Sequence, residues 1–85
     1  MEVMAGGIPI ALCNTGGEIR ATGGICPHLG GPLGHGAVNG ENIVCPWHGW
    51  EFSCFTGRND FDPDTRIPTY PVRMDGDDIL VDLSA

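Results

Sequence analysis

Cys26-Pro27-His28-Leu29-Gly30-Gly31-Pro32-Leu33 and Cys45-Pro46-Trp47-His48-Gly49-Trp50-Glu51-Phe52 are the two stretches on which the reading of this chain turns. Each carries one thiol and one imidazole, spaced C-x-H in the first and C-x-x-H in the second, and sixteen residues, 29–44, separate His28 from Cys45. Pro and Gly surround both pairs, so both lie in loops rather than in regular elements. Between them Asn39-Gly40 is a hairpin-turn signal that leads into Ile43-Val44. A hairpin there folds the two loops back to face a common centre.

Outward from this pair of loops the pattern is β throughout. Ile8, Ile10 and Leu12 alternate with other residues, the period of a strand. Asn14-Thr15-Gly16-Gly17 then reads as a turn into a second strand over 18–22. Residues 23–37 hold six glycines and two prolines and form a loop. Residues 45–50 form the second loop, and 51–55 read as a strand that Thr56-Gly57 ends. The Asp-, Asn- and Pro-rich stretch 58–68 reads as irregular. Residues 69–74 read as a strand whose Pro71 demands an edge or a bulge. Asp75-Gly76-Asp77 is a turn before Ile79, Val81 and Leu83, which alternate again. No window has a 3.6-residue period, so little or no helix is expected, and Met1–Gly7 is too short to supply a full strand.

An 85-residue chain is one small domain. A domain of this size buries only about 60–65% of its unfolded surface, so its core is marginal and a staple helps. The 14 glycines and 7 prolines would suit a disordered chain, but 41% of residues are hydrophobic, too many for one. Eleven Asp and Glu against 4 Lys and Arg make an acidic protein, net charge −7. Nucleic acid would repel that field and is excluded as a partner. The acidity either fits a basic patch on another protein or serves solubility alone. No apolar run is long enough to span a membrane, and no basic, then apolar, leader pattern is present. Four cysteines without a secretory signal point to metal binding in the cytoplasm rather than to disulfides.

Two thiolates and two imidazoles divide naturally between two irons of a [2Fe–2S] cluster, the ligation of a Rieske centre. Zinc accepts the same four ligands, although zinc fingers usually pair Cys with Cys and His with His at other spacings. With histidine ligands neutral, two ferric ions, two sulfides and two thiolates sum to zero charge. A four-cysteine cluster is two units more negative, so the mixed centre takes up an electron more readily, at about −150 to +300 mV.

The two quoted stretches, together with Thr56-Gly57 and Tyr70-Pro71-Val72, resemble the soluble Rieske ferredoxins of ring-hydroxylating dioxygenases, over roughly residues 8–83. The resemblance implies an all-β Rieske fold: an antiparallel β-sandwich base, residues 8–23 and 57–85, carrying a cluster-binding subdomain, residues 24–56, of two loops on a hairpin, within one domain over 1–85. It implies one [2Fe–2S] cluster per chain held by Cys26, His28, Cys45 and His48, with Leu29, Gly30, Trp47, Gly49, Trp50 and Phe52 around it. His28 and His48 are then expected near the surface tip, with Trp47 and Leu29 either forming an apolar docking surface or packing the loops. Pro63 loosely matches a third loop that covers the cluster.

High-potential members of the family carry a loop-linking disulfide at the positions of Gly31 and Trp47, and hydrogen-bond donors at those of Trp50 and Phe52. This chain lacks both, so a potential near the bottom of the range is expected. The implied function is a one-electron shuttle between a flavin-dependent reductase and a terminal oxygenase, not an enzyme. The alternative is the small subunit or Rieske module of a nitrite reductase-like enzyme, partnered by a large subunit. An autonomous oxygenase needs a further iron on two His and a carboxylate, and only His35 remains. His35 is read as a surface residue, and Asp60, Asp62 and Asp64 as a solvated loop rather than a calcium site. Cys54 shares a face with Phe52 and is read, like Cys13, as a buried thiol; a disulfide between them is open at this point.

Overall fold

A computed structural model describes residues 1–27, 30–47, 49–62 and 64–83. Among the described residues the strands are β1 (Glu2–Ala5), β2 (Ile8–Thr15), β3 (Glu18–Gly23), β4 (Val38–Asn39), β5 (Asn42–Val44), β6 (Glu51–Ser53), β7 (Thr69–Tyr70), β8 (Val72–Asp75) and β9 (Asp78–Val81). A 3₁₀ turn, Leu33–His35, is the one helical element among the described residues. All strand pairs are antiparallel: β1-β2-β3-β7 form one sheet, β4-β5-β6 a second and β8-β9 a hairpin. No described helix is long and apolar enough to cross a membrane.

β2 decides how these sheets pack. Its alternation sends Ile10 and Leu12 to one side, where they meet Ala21 and the half-buried Val3, Ile19, Tyr70, Val72, Ile79 and Val81. This is the core of a small sandwich between the four-stranded sheet and the β8-β9 hairpin. Ala11 and Cys13 point to the other side and join Cys26, Leu33, Ile43, Cys45, Phe52, Cys54 and Ile67 in a second core. β2 is thus the wall between two cores. Each fully buried side chain of the size of Phe52, Ile10, Leu33 or Ile43 contributes roughly 1.5–3 kcal/mol of burial free energy.

Three expectations are corrected. Residues 2–5 form a short strand after all, because Gly6 and Gly7, at φ +57° and +80°, make a tight turn back onto β2. Pro71 does more than mark an edge: β7 ends before it on the large sheet and β8 begins after it in the hairpin, so the proline sits where the chain changes sheets. The strand expected over 51–55 stops at Ser53, whose hydroxyl accepts the Phe55 and Thr56 N–H groups and closes a turn.

Candidate metal centre

The two loops are built on the same frame. In the first, the Cys26 N–H donates to Gly31 O at 2.8 Å and the Gly30 N–H donates back to Cys26 O at 2.8 Å. In the second, the Cys45 N–H donates to Trp50 O at 2.7 Å and the Gly49 N–H to Cys45 O at 3.0 Å. Each frame has cysteine first, proline second and a glycine in fifth place, and Gly30 and Gly49 take φ of +78° and +74°. That left-handed conformation is costly for other residues, which is why the sequence repeats glycine there. The proline fixes φ and has no N–H to leave unpaired.

The frame exposes its rim and buries its first residue. Pro27, Gly30, Pro46, Trp47 and Gly49 face solvent, whereas Cys26 and Cys45 are 1% and 2% exposed. The loops also touch. A Cβ placed on Gly31 would lie 2.6 Å from Cys45 Sγ and 3.3 Å from the Trp47 ring. Positions 31 and 47 therefore face each other across the loop interface, with no side chain on one side. None of the four cysteines is in a disulfide. Two buried thiols on equivalent, facing loops, with a glycine leaving space at one sulfur, fit the thiolate half of a mixed-ligand [2Fe–2S] group. His28, His48 and Leu29 lie outside the described residues, as does Pro63.

The surroundings are apolar. Phe52 is fully buried and pairs in register with Ile43, and Trp50 packs on it at 6.5 Å between ring centroids. Phe61 meets Trp50 edge-on at 4.9 Å. Trp47, Ile25 and Phe61 stay more than half exposed, an apolar rim beside the loops.

His35 has its Nε2 3.2 Å from Glu2 Oε1, so it ties the 3₁₀ turn to β1. The acidic loop serves itself: Asp62 accepts from the Asp64 N–H and from the Thr65 hydroxyl. Cys13 and Cys54 are buried as expected, and they are hydrogen-bonded to each other. Donation from Cys54, helped by the chain's amino group, holds the Cys13 thiol below its usual pKa against the effect of burial. The same hydrogen bond, then burial, pushes the Cys54 pKa up.

Asn59 escaped the sequence reading. It is 3% exposed; its Nδ2 donates to Glu51 O, and its Oδ1 accepts from the Phe61 and Asp62 N–H groups. An asparagine opening an Asp-rich turn was the available signal.

The loop motifs have close counterparts in known proteins. The family model of the Rieske [2Fe–2S] domain matches residues 1–71. The ferredoxin component of the naphthalene 1,2-dioxygenase system of Pseudomonas aeruginosa is 39% identical over 85 residues, 99% of this chain and 82% of that protein. Among solved structures, the Sphingomonas yanoikuyae B1 ferredoxin superposes with a TM-score of 0.82 at 30% identity, over 95% of this chain and 83% of that one. A chain of the complex of reduced oxygenase and oxidized ferredoxin in carbazole 1,9a-dioxygenase gives 0.85 at 27% identity, over 96% and 86%. Those relatives are named as ferredoxins, which carry electrons. With likeness of sequence and of fold along nearly its whole length, and with two cysteine loops of one design, the chain belongs to the Rieske [2Fe–2S] domain family and its cofactor is a [2Fe–2S] cluster.

Proposed function

We propose that this chain is a one-electron carrier that takes electrons from a flavin-dependent reductase and passes them to a terminal oxygenase in the cytoplasm. Cys26 and Cys45 hold one iron of its single cluster, and His28 and His48 the other. The observation that carries this reading is the shared hydrogen-bonded frame that buries Cys26 and Cys45 on two touching loops. When bound, the cluster would supply one-electron redox chemistry.

The chain's residues do the rest. The two frames fix the cysteines, and the core of Leu33, Ile43, Phe52 and Ile67 keeps water from their inner side. The exposed Trp47 offers a partner an apolar contact next to Cys45. Residues 24–56 act as the cluster-binding unit on a base formed by the rest of the single domain. Four cysteines outside any disulfide support a reducing compartment. The relatives named as dioxygenase ferredoxin components support the oxygenase as acceptor over a nitrite reductase-like large subunit.

The potential is low. Gly31 brings no thiol to Trp47, and the Phe52 ring has no group to donate, so two devices that raise a Rieske potential are missing. Electron paramagnetic resonance of the dithionite-reduced protein tests the assignment. A mixed-ligand Rieske signal is expected, shifted or lost in His28→Cys and His48→Cys; a signal unchanged in both variants refutes the ligand set. A midpoint well above zero in a redox titration refutes the low potential.

A further inference from the structure

The charge of this chain is unevenly spread. Residues 21–40 and 42–50, which include both loops, hold no Asp, Glu, Lys or Arg, whereas the β8-β9 hairpin and its end carry Asp75, Asp77, Asp78 and Asp82 against Arg73. That hairpin packs on the core of Ile10 and Leu12, on the other side of β2 from the core that holds Cys26 and Cys45. β1 and β9 each pair with one strand only among the described residues, so each is an edge of its sheet. Between them runs an open groove of about 420 Å³, lined by Met1, Met4, Leu12, Leu80, Asp77 and Asp78 among others. Met1 and Met4 are 67% and 64% exposed, and methionine is a flexible apolar side chain suited to binding surfaces. No arginine is among the described lining residues, and the Met1 amino group is turned to Leu12 O at 3.0 Å. The rim charge of the groove is therefore that of Asp77 and Asp78, both exposed.

We propose that this groove docks an extended segment of a partner protein in which aliphatic residues are flanked by Lys or Arg. An apolar groove with a strand edge on either wall takes a strand-like segment. The aliphatic side chains of the segment cover Met1, Met4 and Leu80, and its flanking cations face Asp77 and Asp78. A second copy of this chain fits poorly. Seated about a two-fold axis, it sets Asp77 and Asp78 against their own counterparts, with a net charge of −7 on each side. The groove and the cysteine loops lie on opposite sides of β2, so a partner bound here leaves the loops free to exchange an electron. The carrier is then held by one surface while it gives or takes its electron through another. The effective concentration that such tethering supplies speeds the exchange without a new contact at the cluster. That consequence rests on the function proposed above, whereas the docking itself does not.

The experiment titrates cluster-loaded protein, isotope-labelled at its methionine methyl groups, with the peptide acetyl-Lys-Lys-Leu-Val-Leu-Lys-Lys-amide and follows the methyl resonances. Met1 and Met4 line the groove; Met74, the third methionine, is 55% exposed on β8 and lies outside it. Saturable shifts of the Met1 and Met4 signals are expected, with Met74 unmoved. In the double variant Asp77→Asn, Asp78→Asn the peptide is expected to bind at least about three-fold more weakly. Met4→Lys, which sets a cation in the groove, is expected to weaken it further. The double variant Glu41→Gln, Asp60→Asn removes the same charge outside the groove and is expected to leave the affinity unchanged. Equal weakening in the two double variants means attraction to net charge alone and overturns the site, as does the absence of any shift or an equal movement of Met74. Shifts of Met1 and Met4 that grow with protein concentration in the absence of peptide put a second copy in the groove and overturn the cationic partner. The Rieske resonance signal of the reduced protein is expected to be the same with and without saturating peptide, and a changed signal overturns the separation of groove and loops alone. The methyl shifts are read whatever the type of that signal, so the docking and the proposed function fail separately.

Discussion

Gly31 shows how much a single missing side chain can decide. Carbon atoms pack at about 3.5–4.0 Å, so a Cβ at 2.6 Å from Cys45 Sγ must push that sulfur, or its loop, aside. Gly31→Ala is therefore expected to lower the iron and acid-labile sulfide bound per chain. Gly30 gives the control. Its Cβ would stand in open space at φ +78°, so Gly30→Ala costs only the backbone penalty, about 1–2 kcal/mol, and keeps its cluster. Equal loss of iron in both variants would refute the packing argument. At this scale the cysteines, the glycines and the buried Phe52 were legible, because short motifs carry them. The meeting of Cys13 and Cys54 was not, since alternation shows which face a residue takes but not which distant residue lies opposite.

Elements were legible where their signals are local. The Gly16-Gly17 and Asn39-Gly40 turns fall where the sequence puts them, at positive φ for all three glycines. What could not be read was the work done by tertiary context. β2 alternates like a one-sided strand, yet Ala11 and Cys13 are as buried as Ile10, because a second core covers the face that alternation assigns to solvent. The 58–68 stretch looked irregular, and by its backbone it is, but Asn59 ties its first half to β6 through the three side-chain hydrogen bonds it makes. Removing such a side chain leaves the Glu51 carbonyl and two N–H groups without that partner. Asn59→Ala is expected to cost about 2–3 kcal/mol, which in a domain of this size lowers Tm by roughly 10–20 °C. A calorimetric shift of only a degree or two would mean that water replaces the lost bonds. Because the loop leans on Trp50 through Phe61, broadening of the Rieske resonance signal should accompany the loss.

At the scale of the molecule, stability and docking both follow from size and charge. The second core contains Cys26 and Cys45, the two cysteines proposed as cluster ligands, so on that proposal removing the cluster leaves two thiols in the interior of a marginal domain. Binding energy at a site absent from the unfolded chain is folding energy; the cluster-free protein should melt at least about 10 °C below the loaded one, a loss of about 2 kcal/mol. Charge governs the encounter with the acceptor. Seven of the 11 acidic residues are aspartates at 60–64 and 75–82, nearly all exposed, and the chain's net charge is −7. If the acidity serves docking on a basic surface, the association rate must fall as salt screens the attraction, since the Debye length shrinks from about 30 Å at 0.01 M to about 8 Å at 0.15 M. Stopped-flow reduction of the oxygenase by the reduced carrier should therefore slow at least about ten-fold over that range. The double variant Asp77→Asn, Asp78→Asn should flatten the salt dependence without moving the midpoint potential. A rate indifferent to salt would assign the acidity to solubility alone and leave the apolar rim of Trp47, Ile25 and Phe61 to carry recognition.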